Sequence, residues 1–219
     1  MPKETQIYLI RHGVYSNPNE IYPGNLSLPL SEEGILQIED LAKVLRSKGI
    51  KFDVVFSSPT ERALQSARIL AENLGCELKL DFNLRDTHIP KLEGQPLSIV
   101  KDQGFKNEYS EQFQGDGSET FDEFYTRSVD FLEYIRKGRS GQKVGIVSHG
   151  DVIRSMFWYF QHRQKPDPGT WRDKDYPEPA EAIELRFGAN GEFLGSKHIR
   201  REKESLRESD PNGSRLKEV

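Results

Sequence analysis

The chain has 219 residues, one cysteine, five histidines and a formal net charge of −4, which suits one α/β domain with a core of useful size. Its Lys and Arg are interspersed with Glu and Asp, so no basic field invites nucleic acid and no nucleic-acid partner is expected. Cys76 stands alone, which excludes an internal disulfide framework, and no run is long and apolar enough for a signal segment or a membrane span. The expectation is a cytoplasmic protein with no membrane partner; its oligomeric state is left open.

In chain order, the apolar run Ile7-Tyr8-Leu9-Ile10 predicts a buried strand that ends at Arg11-His12-Gly13. A loop rich in turn formers follows, through Asn17-Pro18-Asn19 and Tyr22-Pro23-Gly24-Asn25. Ser31-Glu32-Glu33-Gly34 opens an amphipathic helix carrying Ile35, Ile38, Leu41, Ala42 and Leu45, with a stop near Lys48-Gly49. Phe52 to Phe56 reads as a strand, Pro59 to Gly75 as a helix with Ala63, Ala67 and Leu70 inward, and Glu77 to Leu80 as a third strand. From Leu84 to Gly117 periodicity fades, as it does in functional or loosely ordered segments. Ser118 is the expected N-cap of a helix over Phe121 to Ile135.

Lys143 to Ser148 then predicts a fourth strand ending at His149-Gly150, and Val152 to Phe160 a helix. A second irregular stretch, Arg163 to Pro179, precedes a hairpin of Ala182 to Phe187 and Glu192 to Ile199 across Asn190-Gly191. Strands alternating with helices imply right-handed crossovers and a three-layer α/β/α sandwich, its sheet mostly parallel with an antiparallel edge strand. One catalytic domain over 1–200 is expected, followed by a charged tail, 201–219, poor in apolar residues and frayed.

Two strand ends that each finish on His-Gly place His12 and His149 at the carboxyl edge of one sheet, where open α/β folds bind ligands. Arg11 precedes the first and Arg62 begins the helix beyond a third strand end. Two guanidiniums and two imidazoles in one space repel one another unless an anion with several oxygens neutralises them, most simply a phosphoryl group. A neutral imidazole can attack phosphorus, and the neighbouring cations depress its pKa and then stabilise the transition state. The leaving oxygen needs a proton; Asp86 in Leu84-Arg85-Asp86 and Glu93 in Leu92-Glu93-Gly94 are the candidates. No His-Glu-x-x-His or close His pair supports a metal, and no cofactor is expected.

These residues resemble the histidine phosphatase, or phosphoglycerate mutase-like, superfamily. The likeness lies in Arg11-His12-Gly13, Pro29-Leu30-Ser31-Glu32-Glu33-Gly34 and Ser58-Pro59-Thr60-Glu61-Arg62-Ala63 running to Ala67. It continues through Leu84-Arg85-Asp86, Glu93-Gly94, Gly117-Ser118-Glu119-Thr120 and Ser148-His149-Gly150. The resemblance implies that His12 is phosphorylated and that Asp86 gives and takes the proton. It further implies that Arg11, Arg62 and His149 hold the phosphoryl oxygens, with Asn17 and Gly150 as further contacts. Two departures stand out: the acid position usually carries Glu, and Leu92 and Pro90 replace the family's aromatic and Gly.

The leading expectation is therefore a phosphomonoesterase acting on a small-molecule phosphomonoester, without a cofactor. A mutase would keep the pocket and add cations for a second anion. Lys101, Lys106, Arg163, Lys165, Arg172 and Lys174 lie in the irregular stretches, but Glu108, Glu111, Asp116, Asp167, Asp173 and Asp175 accompany them, which suggests solvated loops. A serine-hydrolase elbow at Ile146-Val147-Ser148-His149-Gly150 leaves Arg11-His12 unexplained. A catalytically silent phosphate-binding module is the remaining alternative. Phe105, Tyr109, Trp171 and Tyr176 read as loop anchors or as a binding surface.

Overall fold

A computed structural model describes residues 4–101, 108–115, 117–168, 172 and 175–201. The expected tail, apart from Arg201, lies outside these residues, as do Phe105, Lys106, Asp116, Trp171, Asp173 and Lys174. The elements are β1 (Thr5–Arg11), α1 (Glu32–Ser47), β2 (Val54–Ser57), α2 (Glu61–Leu74), β3 (Glu77–Leu80), the short α3 (Ser98–Lys101), α4 (Phe121–Gly138), β4 (Lys143–Ser148), α5 (Gly150–His162), β5 (Ala182–Phe187) and β6 (Phe193–Ile199).

The sheet runs β3-β2-β4-β1-β5-β6. β3, β2, β4 and β1 pair in parallel, β5 lies antiparallel on β1, and β6 closes the edge antiparallel to β5. Successive side chains of a strand point to opposite faces, and both faces are apolar. Ile7, Leu9, Phe56 and Ile146 pack under α4 and α5, whereas Tyr8, Ile10, Val55 and Val147 pack under α1 and α2. Each such buried side chain contributes on the order of 2 kcal/mol. The result is the expected α/β/α sandwich, with the terminal hairpin supplying its antiparallel edge.

Gly13 and Gly34 set the turn after β1 against the first turn of α1. A Cβ on Gly13 would strike the Gly34 carbonyl, and one on Gly34 the Val14 carbonyl. Ser31 caps α1 through its hydroxyl, which accepts from Gly34 N at 3.0 Å.

At α4 the expected cap is corrected: Thr120, not Ser118, is the N-cap, in a capping box with Glu123. The Ser118 hydroxyl accepts instead from Gly115 N, at 3.1 Å. The first irregular stretch is ordered where described. Ile89, Leu92 and Val100 form a small core with Tyr22, and Ile21 bridges Pro96. Among the described residues no helix is long and apolar enough to cross a membrane. Cys76 is half-buried, and burial raises its thiol pKa, consistent with a packing residue.

Candidate active site

Three parallel strands end side by side, and backbone bonds tie their ends together. His12 N donates to Ser148 O at 3.0 Å and Ser58 N to Val147 O at 3.0 Å. Arg11, His12, Arg62, Asp86 and Gly150 line one cavity of about 420 Å³ at that edge.

His12 is buried, and its Nδ1 lies 2.7 Å from the Gly13 carbonyl. A carbonyl can only accept, so Nδ1 carries the proton and Nε2 keeps its lone pair. Burial first, then the Arg62 and Arg11 guanidiniums, hold the His12 pKa well below the usual imidazole value.

Arg62 rises from the first turn of α2 and is fully buried. Its Nη2 donates to Gly24 O at 2.7 Å and to Asp86 Oδ2 at 3.0 Å, and its Nη1 to Leu26 O at 3.2 Å. The turn-rich segment after β1 therefore exists in part to offer Arg62 two carbonyls. Arg11 donates through Nη1 to Pro177 O at 2.8 Å and stands over the Tyr176 ring.

His149 is the N-cap of α5 and sits behind the cavity wall, its ring centroid 5.2 Å from that of His12. Nε2 lies 3.0 Å from both Ser58 Oγ and Thr60 Oγ1. Thr60 is the N-cap of α2 yet makes no side-chain cap bond, because its hydroxyl is turned to this imidazole. His149 Nδ1 is 3.3 Å from Asp86 Oδ2, off the line a hydrogen bond needs, and has no partner. Burial, Arg62 and His12 lower the His149 pKa well below its ordinary value.

Asp86 accepts from Thr87 N at 3.0 Å through Oδ1. Burial raises its pKa, outweighing the opposing Arg62 guanidinium. Of the two carboxylates the sequence leaves open, Asp86 lines the cavity and Glu93 does not. Glu93 Oε1 accepts from Asn25 N at 3.1 Å and lies 3.2 Å from His88 Nδ1, bracing the turn beneath Arg62. Asn17 is also off the cavity wall: its amide spans a turn, with Nδ2 donating to Ile21 O at 2.8 Å and Oδ1 accepting from Ile21 N at 3.1 Å. Ser148 is buried and donates to Leu84 O at 2.6 Å, so its hydroxyl holds the loop before Asp86 and is no nucleophile elbow.

The rest of the cavity wall contains groups that sequence reasoning passed over or took for solvated loop charges. Glu108 is 1 % exposed, and Arg172 bridges it to Asp151. Arg172 Nε donates to Asp151 Oδ1 at 2.9 Å, Tyr176 Oη to the same oxygen at 2.8 Å, and Tyr22 Oη to Glu108 Oε2 at 3.2 Å. Gly150 admits the Tyr176 phenol, since a Cβ there would collide with its hydroxyl. Only one local signal pointed to this wall: Asp151 follows His149 by two residues at a helix start. Tyr109 proves an anchor, its ring centroid 5.1 Å from that of Phe121.

Comparison with known proteins shows the family and the fold. Residues 7–195 match the histidine phosphatase superfamily (branch 1), and the chain belongs to that family. A phosphoglycerate mutase-like protein 4 of Arabidopsis thaliana is 32 % identical over 160 residues, 69 % of either chain. A metal-independent phosphoserine phosphatase of the same plant is 32 % identical over 165 residues, 70 % of this chain and 67 % of its own. Bacillus stearothermophilus YhfR superposes with a TM-score of 0.73 at 23 % identity, covering 86 % of this chain and 94 % of its own, which bears on the fold.

Proposed function

We propose that the protein hydrolyses small phosphomonoesters through a phosphohistidine on His12. Two guanidinium nitrogens around the nucleophile, Arg11 Nε and Arg62 Nε, are buried and lack a hydrogen-bond partner within the protein, and His149 Nδ1 faces Asp86 Oδ2 at 3.3 Å without a hydrogen bond. Buried guanidinium donors left unmatched are costly, and a phosphoryl group offers oxygens to both. This is the observation that carries the reading. The N-terminus of α5 adds a favourable dipole for an anion.

In the first half-reaction the Nε2 lone pair of His12 attacks phosphorus and the P–O bond to the alcohol breaks. Asp86 supplies the proton that leaves with the alcohol. The arriving dianion competes with Asp86 for Arg62, which favours the protonated carboxyl just when it is needed. In the second half-reaction water attacks phosphorus, the N–P bond breaks, and the Asp86 carboxylate takes the water's proton. Arg11, Arg62 and His149 hold the equatorial oxygens throughout.

Phosphomutase chemistry on a phosphoglycerate would need spare cations for a second anion. Arg172 is engaged by two carboxylates, Lys165 reaches out to Asp122, and Arg163 lies over the Phe160 ring. Among the described residues these three cations are thus taken, which favours net hydrolysis over transfer back to substrate. Relatives named as phosphoserine phosphatases support this choice.

The test is hydrolysis of alkyl and aryl phosphates by wild type and Asp86→Asn. The expected result is a loss of about a hundredfold on alkyl esters and a much smaller loss on p-nitrophenyl phosphate, whose leaving group needs no proton. Equal losses on both would move the proton role away from Asp86.

A further inference from the structure

We propose that the wall formed by Glu108, Asp151 and Arg172, with the Tyr22 and Tyr176 hydroxyls, is the subsite for the alcohol part of the substrate, and that it selects a phosphomonoester whose alcohol carries a protonated amine. The inference rests on the phosphatase reading, because it takes the phosphoryl group to sit against His12. It adds which group the other end of the cavity reads.

Connectivity is the first reason. Asp151 stands two residues after His149 on the first turn of α5, and Tyr176 contacts both Gly150 and the Arg11 guanidinium. A phosphoryl group held by Arg11, Arg62 and His149 therefore leaves its alcohol facing this wall. The cavity, about 420 Å³, suits a phosphoryl group with a small alcohol.

Charge is the second. Arg11 and Arg62 make the phosphoryl end cationic, and Arg62 Nε there awaits an acceptor. At this wall, among the described residues, one guanidinium meets two carboxylates, so one negative charge remains when both are ionised. The two phenols donate to those carboxylates, so each hydroxyl has only its oxygen lone pairs left to offer. Such a wall repels a second anion and accepts an ammonium. The cavity thus presents charge of both signs, matching an ester that carries a dianion and a cation. Burial pushes the Glu108 pKa up to about 7, so the wall carries its full negative charge above that pH.

Three phosphate esters of one two-carbon size test this: O-phosphoethanolamine, ethylene glycol monophosphate and 2-phosphoglycolate, ending in an amine, a hydroxyl and a carboxylate. The expected kcat/KM order is amine above hydroxyl above carboxylate, with about tenfold or more between the extremes, as one unscreened charge contact allows. Glu108→Gln and Asp151→Asn, each checked for folding by thermal melting, should narrow the amine-to-carboxylate ratio. A preference for the carboxylate ester, or a ratio untouched in both folded variants, overturns the subsite. If the wild type hydrolyses neither these esters nor p-nitrophenyl phosphate, the phosphatase reading fails. The subsite is then read by calorimetry with the same three compounds: tighter binding of the amine ester supports it, and equal or weaker binding overturns it.

Discussion

His12 and Asp86 differ in how burial acts on them, and the difference defines a pH window. Burial and the guanidiniums lower the imidazole pKa, so its neutral, nucleophilic form persists as the solution is acidified through 6.5. Burial raises the Asp86 carboxyl above 3.8, so the proton donor survives to higher pH than an exposed aspartate would allow. The expected profile for an alkyl ester is therefore an alkaline decline governed by Asp86 and no loss from His12 near 6.5. The decline should vanish for p-nitrophenyl phosphate and in Asp86→Asn. Profiles of kcat/KM for both esters check this, and a loss centred near 6.5 common to both esters and assigned to His12 by NMR titration would contradict it. That His12 and Asp86 come to one cavity was legible in the sequence through strand ends and a following acidic residue. The choice of Asp86 over Glu93 was not, because it depends on which carboxylate the 84–94 loop turns inward.

Elements, more than single residues, decide where that carboxyl stands. Arg127 on α4 donates to the carbonyls of Asn83 at 2.7 Å, Arg85 at 3.0 Å and Asp86 at 3.1 Å, and pairs with Glu119. One helix side chain therefore pins the loop before and at Asp86, while Ser148 pins Leu84 from β4. Arg127→Ala removes the bonds to three carbonyls and leaves the mostly buried Glu119 carboxylate with only the His88 N–H, and should cost about 3 kcal/mol of stability by denaturant unfolding. Arg127→Lys should recover part of it, and a change under about 0.5 kcal/mol in Arg127→Ala, the range of an ordinary surface substitution, would show that the clamp is dispensable. Helices and strands were readable because Ile38, Leu41 and Leu45, or Ile7 to Ile10, keep the period of their element. The start of α4 at Phe121 was read correctly but its cap was misplaced by two residues, although Thr120 with Glu123 three positions later is the stronger cap signal.

At the scale of the whole molecule, the sheet gathers three strand ends, and Asp86, Leu97, Glu108, Arg172 and Tyr176 from the irregular stretches line the cavity there. Alternation along the chain made the sandwich legible. The far wall was not, since Tyr22, Glu108, Asp151 and Arg172 come from four segments with no common spacing, and only folding shows that Glu108 is buried rather than solvated. A cavity with unmatched cationic donors should bind the product as well as the substrate. Orthophosphate at about a hundred times its Kd should add about 2.7 kcal/mol of stability, a rise in Tm of several degrees for a chain of this size. Acetate at matched ionic strength should not; equal shifts with both ions would point to a general salt effect.

The central claim is a covalent bond between phosphorus and His12. Rapid acid-free quenching during turnover of p-nitrophenyl phosphate, followed by mass spectrometry of the digested protein, tests it most directly. A phosphoryl group on the peptide bearing His12, stable to alkali, labile to acid and absent from His12→Ala, is the expected result. Steady turnover with no adduct on His12 at any time point, or with the phosphoryl group on another residue, would contradict it.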